Sequence, residues 1–131
     1  MKSAKMTLFM VCVTLMALIV TASCSTDQER LRRAAEKDYG YLQKGKYEKF
    51  VGEIAYADSM SEDYRAQMVD LVHEYAAALQ QRHGAFTNIE AIGDTIDGDQ
   101  AHVYLLLTFA DSTSEEVGVP MVRVGEKWKM Q

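Results

Sequence analysis

The sequence predicts an α+β fold: three N-terminal helices packed on a curved four-stranded antiparallel meander. Three observations carry this expectation. Apolar positions at helical spacing fill residues 28–83, with glycines at 45 and 84 where helices would end. From Ala85 onward the pattern changes to period-two alternation broken by turn residues. The clearest alternation, Val103, Leu105, Leu107 and Phe109, follows an Asp97-Gly98 pair that suits a two-residue type I′ hairpin. A chain of 131 residues has room for one such domain.

The N-terminus has a different character. Lys2 and Lys5 precede an uncharged apolar run of 15 residues, Met6 to Val20, against the roughly 20 that a bilayer span needs. Thr21-Ala22-Ser23-Cys24 closes it, as in a secretory signal. Ala22, Ser23 and Cys24 resemble the lipobox of bacterial lipoproteins, although Thr21 stands where that family usually has a branched aliphatic residue. The resemblance implies a signal peptide at residues 1–23, cleavage before Cys24 and lipidation there with acyl chains such as palmitate. Residues 24–27 would then be the lipidated cysteine and a short tether, and residues 28–131 the domain. The implied location is the envelope of a Gram-negative bacterium, the outer membrane ahead of the inner. The alternatives are an ordinary secretory signal cut near Ser23, or an uncleaved anchor.

Cys12 would leave with the signal, so the mature chain keeps Cys24 alone. A disulfide framework and a cysteine-based zinc site are thereby excluded. Removing residues 1–23 takes Lys2 and Lys5 and no acid, moving the formal charge from −5 to −7. An acidic domain without a basic stripe is a poor nucleic-acid binder. Its net charge does not draw it to anionic lipid either, which leaves attachment to a covalent anchor.

Asp27 is placed to cap a first helix from Gln28, with Leu31, Ala34, Ala35, Asp38 and Leu42 on one face and Tyr41 at its border. Lys44-Gly45 should end it. Lys46 to Ala57 reads as a second helix with a stripe of Tyr47, Phe50, Val51 and Ile54, weakened by Gly52. The third helix has a capping-box spacing at Ser59 and Glu62, with Ser61 as a competing cap. Tyr64, Met68, Leu71, Val72, Tyr75 and Leu79 trace its expected buried face up to Gly84.

Ala85–Ile96 and Asp99–Phe109 are the expected central hairpin, and Asp111 to Ser114 a second turn. Val117, Val119 and Met121 alternate in the third strand, where Pro120 requires an edge or a bulge. Gly125-Glu126 has the Gly-first form of a type II′ turn. Counting out from it pairs Arg123 with Trp128, Met121 with Met130 and Val122 with Lys129, which puts the indole on the core side. The same count from Asp97-Gly98 pairs Phe86 with Phe109 and Ile92 with Val103. It sets Asn88 beside Leu107 and Glu90 beside Leu105. Either a bulge turns Ile89 and Ala91 inward, or polar groups line part of the concave face.

Three helices and a meander, with GKYEKF at Gly45–Phe50, DGDQAHVYL at Asp97–Leu105 and a closing GEKWKM, resemble the nuclear-transport-factor-2-like superfamily (cystatin-like α+β, cone-shaped) over about residues 28–131. More narrowly they resemble small bacterial lipoproteins carrying one such domain of unknown function. Many members place a short hairpin between the second and third helices, and Val51–Met60 looks too helical and too short for one. The superfamily hosts enzymes, ligand binders and interaction modules, so the fold alone does not select a function.

His73, His83 and His102 lack the i, i+4 geometry of a helical zinc pair, and a structural role is expected for each. Superfamily enzymes similar to ketosteroid isomerase place a Tyr and one or two acids in the cone. The resemblance makes Tyr39, Tyr41, Tyr56, Tyr75 and Tyr104 the tyrosines to consider, with Asp38 and Glu90 as acids. Asp38 stands out because a carboxylate within an apolar stripe is costly unless paired. Arg123 opposite Trp128 is either a strand arginine stacked on the ring or an anion-recognition group at the rim.

No nucleophile–base spacing, phosphate loop or dinucleotide fingerprint is present, and no cofactor or metal is expected. The leading expectation is a non-enzymatic envelope lipoprotein whose domain binds a small ligand or a protein partner. Its pocket would be narrow and partly polar, drawing on Asp38, Tyr41, Tyr75, Glu90, Trp128 and Arg123. The alternatives are an isomerase- or hydrolase-like enzyme using an acid with a tyrosine, or an immunity or scaffold protein acting through the sheet face. That same face could form a homodimer.

Overall fold

The first helix, α1, spans Asp27–Gln43 in the computed structural model, which describes residues 26–131. Cys24 and the signal-like run before it lie outside the described residues. The α1 cap is Thr26, whose side-chain oxygen accepts from the Glu29 N–H at 3.1 Å. Asp27 is not the cap, because its carboxylate is drawn across to Arg123 and Trp128 on the last hairpin. The helix ends at Lys44 as expected, with Gly45 at φ +72°. Leu31, Ala35, Asp38 and Leu42 are all buried.

The second helix, α2, is only Tyr47–Gly52, shorter than expected. Past Gly52 the chain leaves the helix to join the sheet. Ile54 bridges Met130 in parallel, the Met130 N–H donates to Glu53 O at 3.2 Å, and the Ala55 N–H donates to Met130 O at 2.7 Å. Those bonds and the burial of Ile54 outweigh extending a helix through a glycine that disfavours it by about 1 kcal/mol. A 3₁₀ turn, Ala57–Ser59, leads on.

The long helix, α3, spans Glu62–His83. Ser61 rather than Ser59 caps it, accepting from the Tyr64 N–H at 3.1 Å. The face turned to the core carries Ala76 and Leu79, with Met68, Val69 and Val72 packed beside them. Three members of the expected stripe point away, since Tyr64 is 46% exposed, Leu71 58% and Tyr75 42%. Apolar residues cover a broad arc of this helix, and the face that turns inward places the fully buried Ala76 in the core. His73 stacks on Tyr47 at 4.8 Å and joins α3 to α2.

Strands β1 (Phe86–Asp97), β2 (Gln100–Phe109), β3 (Ser114–Val124) and β4 (Lys127–Met130) form an antiparallel sheet in that order. Asp97 pairs with Gln100, so the hairpin loop is Gly98-Asp99, one residue later than the Asp-Gly pair suggests. Gly98 takes φ +61° while Asp99 stays at negative φ, the Gly-first arrangement. Two register shifts in β1 then decide its faces. Phe86 still meets Phe109, but Ile89 meets Leu107, Ala91 meets Leu105 and Asp94 meets Val103. The bulge therefore turns Ile89 and Ala91 inward and puts Glu90 outside. Ile92 does not pair with Val103 and is 46% exposed.

The β3–β4 pairing is as counted: Met121 with Met130, Val122 with Lys129, Arg123 with Trp128. Pro120 gives its carbonyl to Gln131 N–H at 3.0 Å, on the β4 side. Its nitrogen faces the same way, where β4 runs out, so the missing donor costs no ladder bond. Val103, Leu105, Leu107, Phe109, Met121 and Trp128 are all buried and form the floor of the core.

Candidate functional site

The site is built where the start of α1 crosses the β3–β4 hairpin. Arg123 and Trp128 are cross-strand partners on the inner face, and the Arg123 guanidinium lies 4.6 Å over the indole ring. Asp27 receives the Arg123 guanidinium and, at 3.3 Å, the indole N–H. Partial burial pushes the Asp27 carboxyl up. The hydrogen bonds from Trp128 and Arg123, with the charges of Arg123 and Arg30, outweigh it and hold the carboxyl below the usual carboxylate range.

Beyond this corner, α1 and the outer edge of β4 diverge and leave an open pocket of about 360 Å³. The edge is open because only Met130 is covered by residues 53–55. Arg123 donates its N–H toward Asp99 on the β2 side, so Arg123 and Trp128 are not bonded to each other through the main chain. In an antiparallel ladder that turns the Trp128 N–H and C=O outward, away from β3, on the edge that borders the pocket.

Five cations line the opening. Arg30, Arg33 and Lys37 recur along one side of α1, while Lys127 and Lys129 flank Trp128 on β4. Each of these α1 cations has an acidic neighbour, Asp27, Glu29 and Glu53 respectively, at 3.6 to 3.9 Å, with the cation itself exposed. Pairs of that length with exposed cations are weak, and Arg33 and Lys37 can exchange them for a ligand.

Asp38 lies at the pocket floor. It is 1% exposed, and its Oδ2 has no hydrogen-bond partner. Burial, with the charge of Glu53 nearby, pushes its carboxyl up to about 8, while Lys37 and Lys129 pull in the opposite direction without prevailing. At neutral pH Asp38 is mostly a carboxylic acid, with an O–H to donate. Next to it, burial raises the Tyr39 hydroxyl well above its ordinary value, with Tyr75 and Asp38 adding to the effect.

Of the residues singled out from sequence, Asp38 and Trp128 line this pocket, and Arg123 stands behind Trp128 at its edge. Three others are elsewhere. Tyr41 is half-buried outside the lining, with the Lys37 and Lys49 ammonium groups about 6.0 Å and 5.9 Å from its ring. Tyr75 is on the exposed side of α3, and Glu90 is exposed on the outer face of β1. Glu90 and Asp38 therefore do not converge. Missed by sequence were Asp27, Glu53 and all five cations. The spacing of Arg30, Arg33 and Lys37 was the one available signal, and it looks like any solvated helix flank.

His83 bonds Asp111 at 3.2 Å, and His102 is exposed opposite Pro120. Among the described residues no cluster of three or more His, Cys, Asp or Glu is placed to hold a metal ion. Nor is any of their helices long and apolar enough to cross a membrane.

No protein-family model matches the chain, and no curated protein does. Among solved structures, a proposed NTF2-like transpeptidase from Campylobacter jejuni superposes with a TM-score of 0.63 at 21% identity. The match covers 80% of this chain and 97% of that one. The fold is therefore NTF2-like, three helices against an open four-stranded antiparallel sheet.

Proposed function

We propose that the chain is an envelope lipoprotein whose NTF2-like domain is a non-catalytic binding module for a small anionic ligand. The observation that carries this is the pocket itself: five cations around a buried carboxyl with one unpartnered oxygen, in an otherwise acidic protein. A buried polar atom without a partner is uncommon and points to a group that arrives from outside. An anion would sit between Arg33, Lys127 and Lys129, accept the outward Trp128 N–H and accept the Asp38 O–H. The lipoprotein part is supported by the Lys2–Cys24 pattern.

The rival is an acid–base enzyme, and one observation favours it: the Asp38 carboxyl, pushed up to about 8, has the proton affinity of a general acid or base at neutral pH. A transpeptidase, the activity named for the Campylobacter protein, would require a nucleophile. The pocket lining offers no serine, threonine, cysteine or histidine, so that activity finds no support here. A scaffold or immunity role through the sheet's outer face, or a homodimer there, is the third reading.

A melting-temperature screen of the purified mature protein against carboxylates, phosphate esters, neutral sugars and amines tests the first reading. Anions should raise the transition, because a ligand that binds only the folded state stabilises it. The rise should vanish in Arg33→Glu and Lys127→Glu. Stabilisation by neutral or cationic compounds alone, or turnover that disappears in Asp38→Asn, would replace this reading with one of its rivals.

A further inference from the structure

We propose that the pocket takes the phosphate ester of an anionic phospholipid headgroup, drawn from the same membrane that holds the lipid on Cys24. The inference rests on the lipoprotein and anionic-ligand readings above and names the source of the anion.

Placement is the first argument. Thr26 caps α1, and Asp27 is fastened to Arg123 and Trp128, so the first turn of the domain is fixed against the hairpin. Cys24 is three residues before Asp27, a contour of at most about 10 Å. Asp27, Arg30, Arg123, Gly125 and Glu126 line a smaller concavity that shares Arg30 and Glu126 with the main pocket. The pocket therefore begins within one helical turn of the tether. Along α1 at roughly 1.5 Å per residue, Lys37 is only about 15 Å further on. A lipid on Cys24 would hold this end of the domain, and not the Lys44–Lys46 end, against the bilayer surface.

Charge is the second. The mature chain is acidic as a whole, which on average opposes an anionic surface. Salt at physiological strength screens charges beyond about 8 Å, so the groups nearest the membrane decide the interaction rather than the sum. Those groups include Arg30, Arg33, Lys37, Lys127 and Lys129. The acids among them have assignments compatible with a headgroup. Glu53 is already beside Lys37, Glu126 is at the exposed turn, and Asp38 as an acid donates a hydrogen bond to a phosphate oxygen.

The test uses the full lipidated protein, its acylation at Cys24 established by intact mass, reconstituted in phosphatidylcholine vesicles with increasing phosphatidylglycerol. Acetylation rates of individual lysines are read by mass spectrometry. Lys37, Lys127 and Lys129 should become protected as phosphatidylglycerol rises, while Lys44 and Lys46 at the far end of α1 keep their rates. Each basic residue near an anionic surface is worth about a fivefold change in affinity, so Arg33→Gln should raise the phosphatidylglycerol fraction for half-protection by about that factor. A parallel arm adds glycerol phosphate to pure phosphatidylcholine vesicles. Protection there but not with phosphatidylglycerol would overturn the headgroup source and leave a soluble anion as the ligand. Protection in neither arm would overturn the anionic-ligand reading as well. Equal protection of all lysines, indifference to Arg33→Gln, or a mass without lipid on Cys24 would each overturn the proposal.

Discussion

The Trp128 indole N–H reaches the Asp27 carboxylate at 3.3 Å, a hydrogen bond between residues 101 positions apart that ties the first turn of the domain to its last hairpin. Arg123 completes the corner from above the ring. The same three side chains hold the start of α1 against the β3–β4 hairpin at one end of the pocket.

Trp128→Ala is expected to cost roughly 3–5 kcal/mol, because a buried indole is removed. Against a typical stability of about 5–15 kcal/mol this threatens the fold. A urea melt checks it, and a loss below about 1 kcal/mol would mean that the ring contributes little packing.

Asp27→Ala should lower the melting temperature at pH 7, and by less at pH 3. The folded carboxyl lies below its unfolded value of 3.8, so its contribution is present above that value and is lost as pH falls through the lowered one. A mutant that melts with the wild type at both pH values would show that the corner holds nothing.

Cys24→Ser is expected to abolish lipid labelling and to release the protein from the membrane fraction. If the variant survives a carbonate wash in the membrane, Met6–Val20 is an uncleaved anchor and the lipobox resemblance has misled.

The rotation of α3 predicts a contrast between neighbours. Leu71→Ser, at a site 58% exposed, should change stability by less than about 0.5 kcal/mol. Ala76→Leu, at a site fully shielded from solvent, should cost about 1–3 kcal/mol by overpacking. Equivalent effects at the two positions, measured by denaturant titration, would return the core to the opposite side of the helix.

These differences show what was legible in the sequence. Val103 to Phe109 could be read because every second residue of β2 is apolar and every one is buried. Strand β1 could not be placed, since its bulges are set by packing against β2 and α1; Asp94, facing inward, is satisfied by Gln28 and Arg32 from α1. On α3 the apolar residues spread too widely for periodicity to choose a face. At the candidate site, Asp38 was visible as a polar residue inside an apolar stripe. Its cations were not, because Arg30–Lys37 and Lys127–Lys129 become neighbours only when β4 lies beside α1. Tyr75 and Glu90 were lost with the α3 face and the β1 register on which they depended.

Asp38 offers the most direct test of the site, through stability against pH. Its folded carboxyl is raised to about 8 from an ordinary 3.8, by burial first and then by Glu53, with Lys37 and Lys129 opposing. For an acid whose folded value is raised, the unfolded chain releases its proton first. Stability from this group is therefore complete below about pH 4, declines as pH rises, and levels off above about 8. A tenfold change in proton affinity is worth about 1.4 kcal/mol, so the full span corresponds to on the order of 5 kcal/mol. Asp38→Asn keeps the shape and cannot ionise. It should be more stable than the wild type at pH 8, and much of the decline between pH 4 and pH 8 should disappear. Chemical denaturation at pH 4, 6 and 8 measures both chains. Parallel curves for the two would mean that Asp38 ionises freely in the folded protein, and the pocket floor would then carry a charge that repels the anion assigned to it.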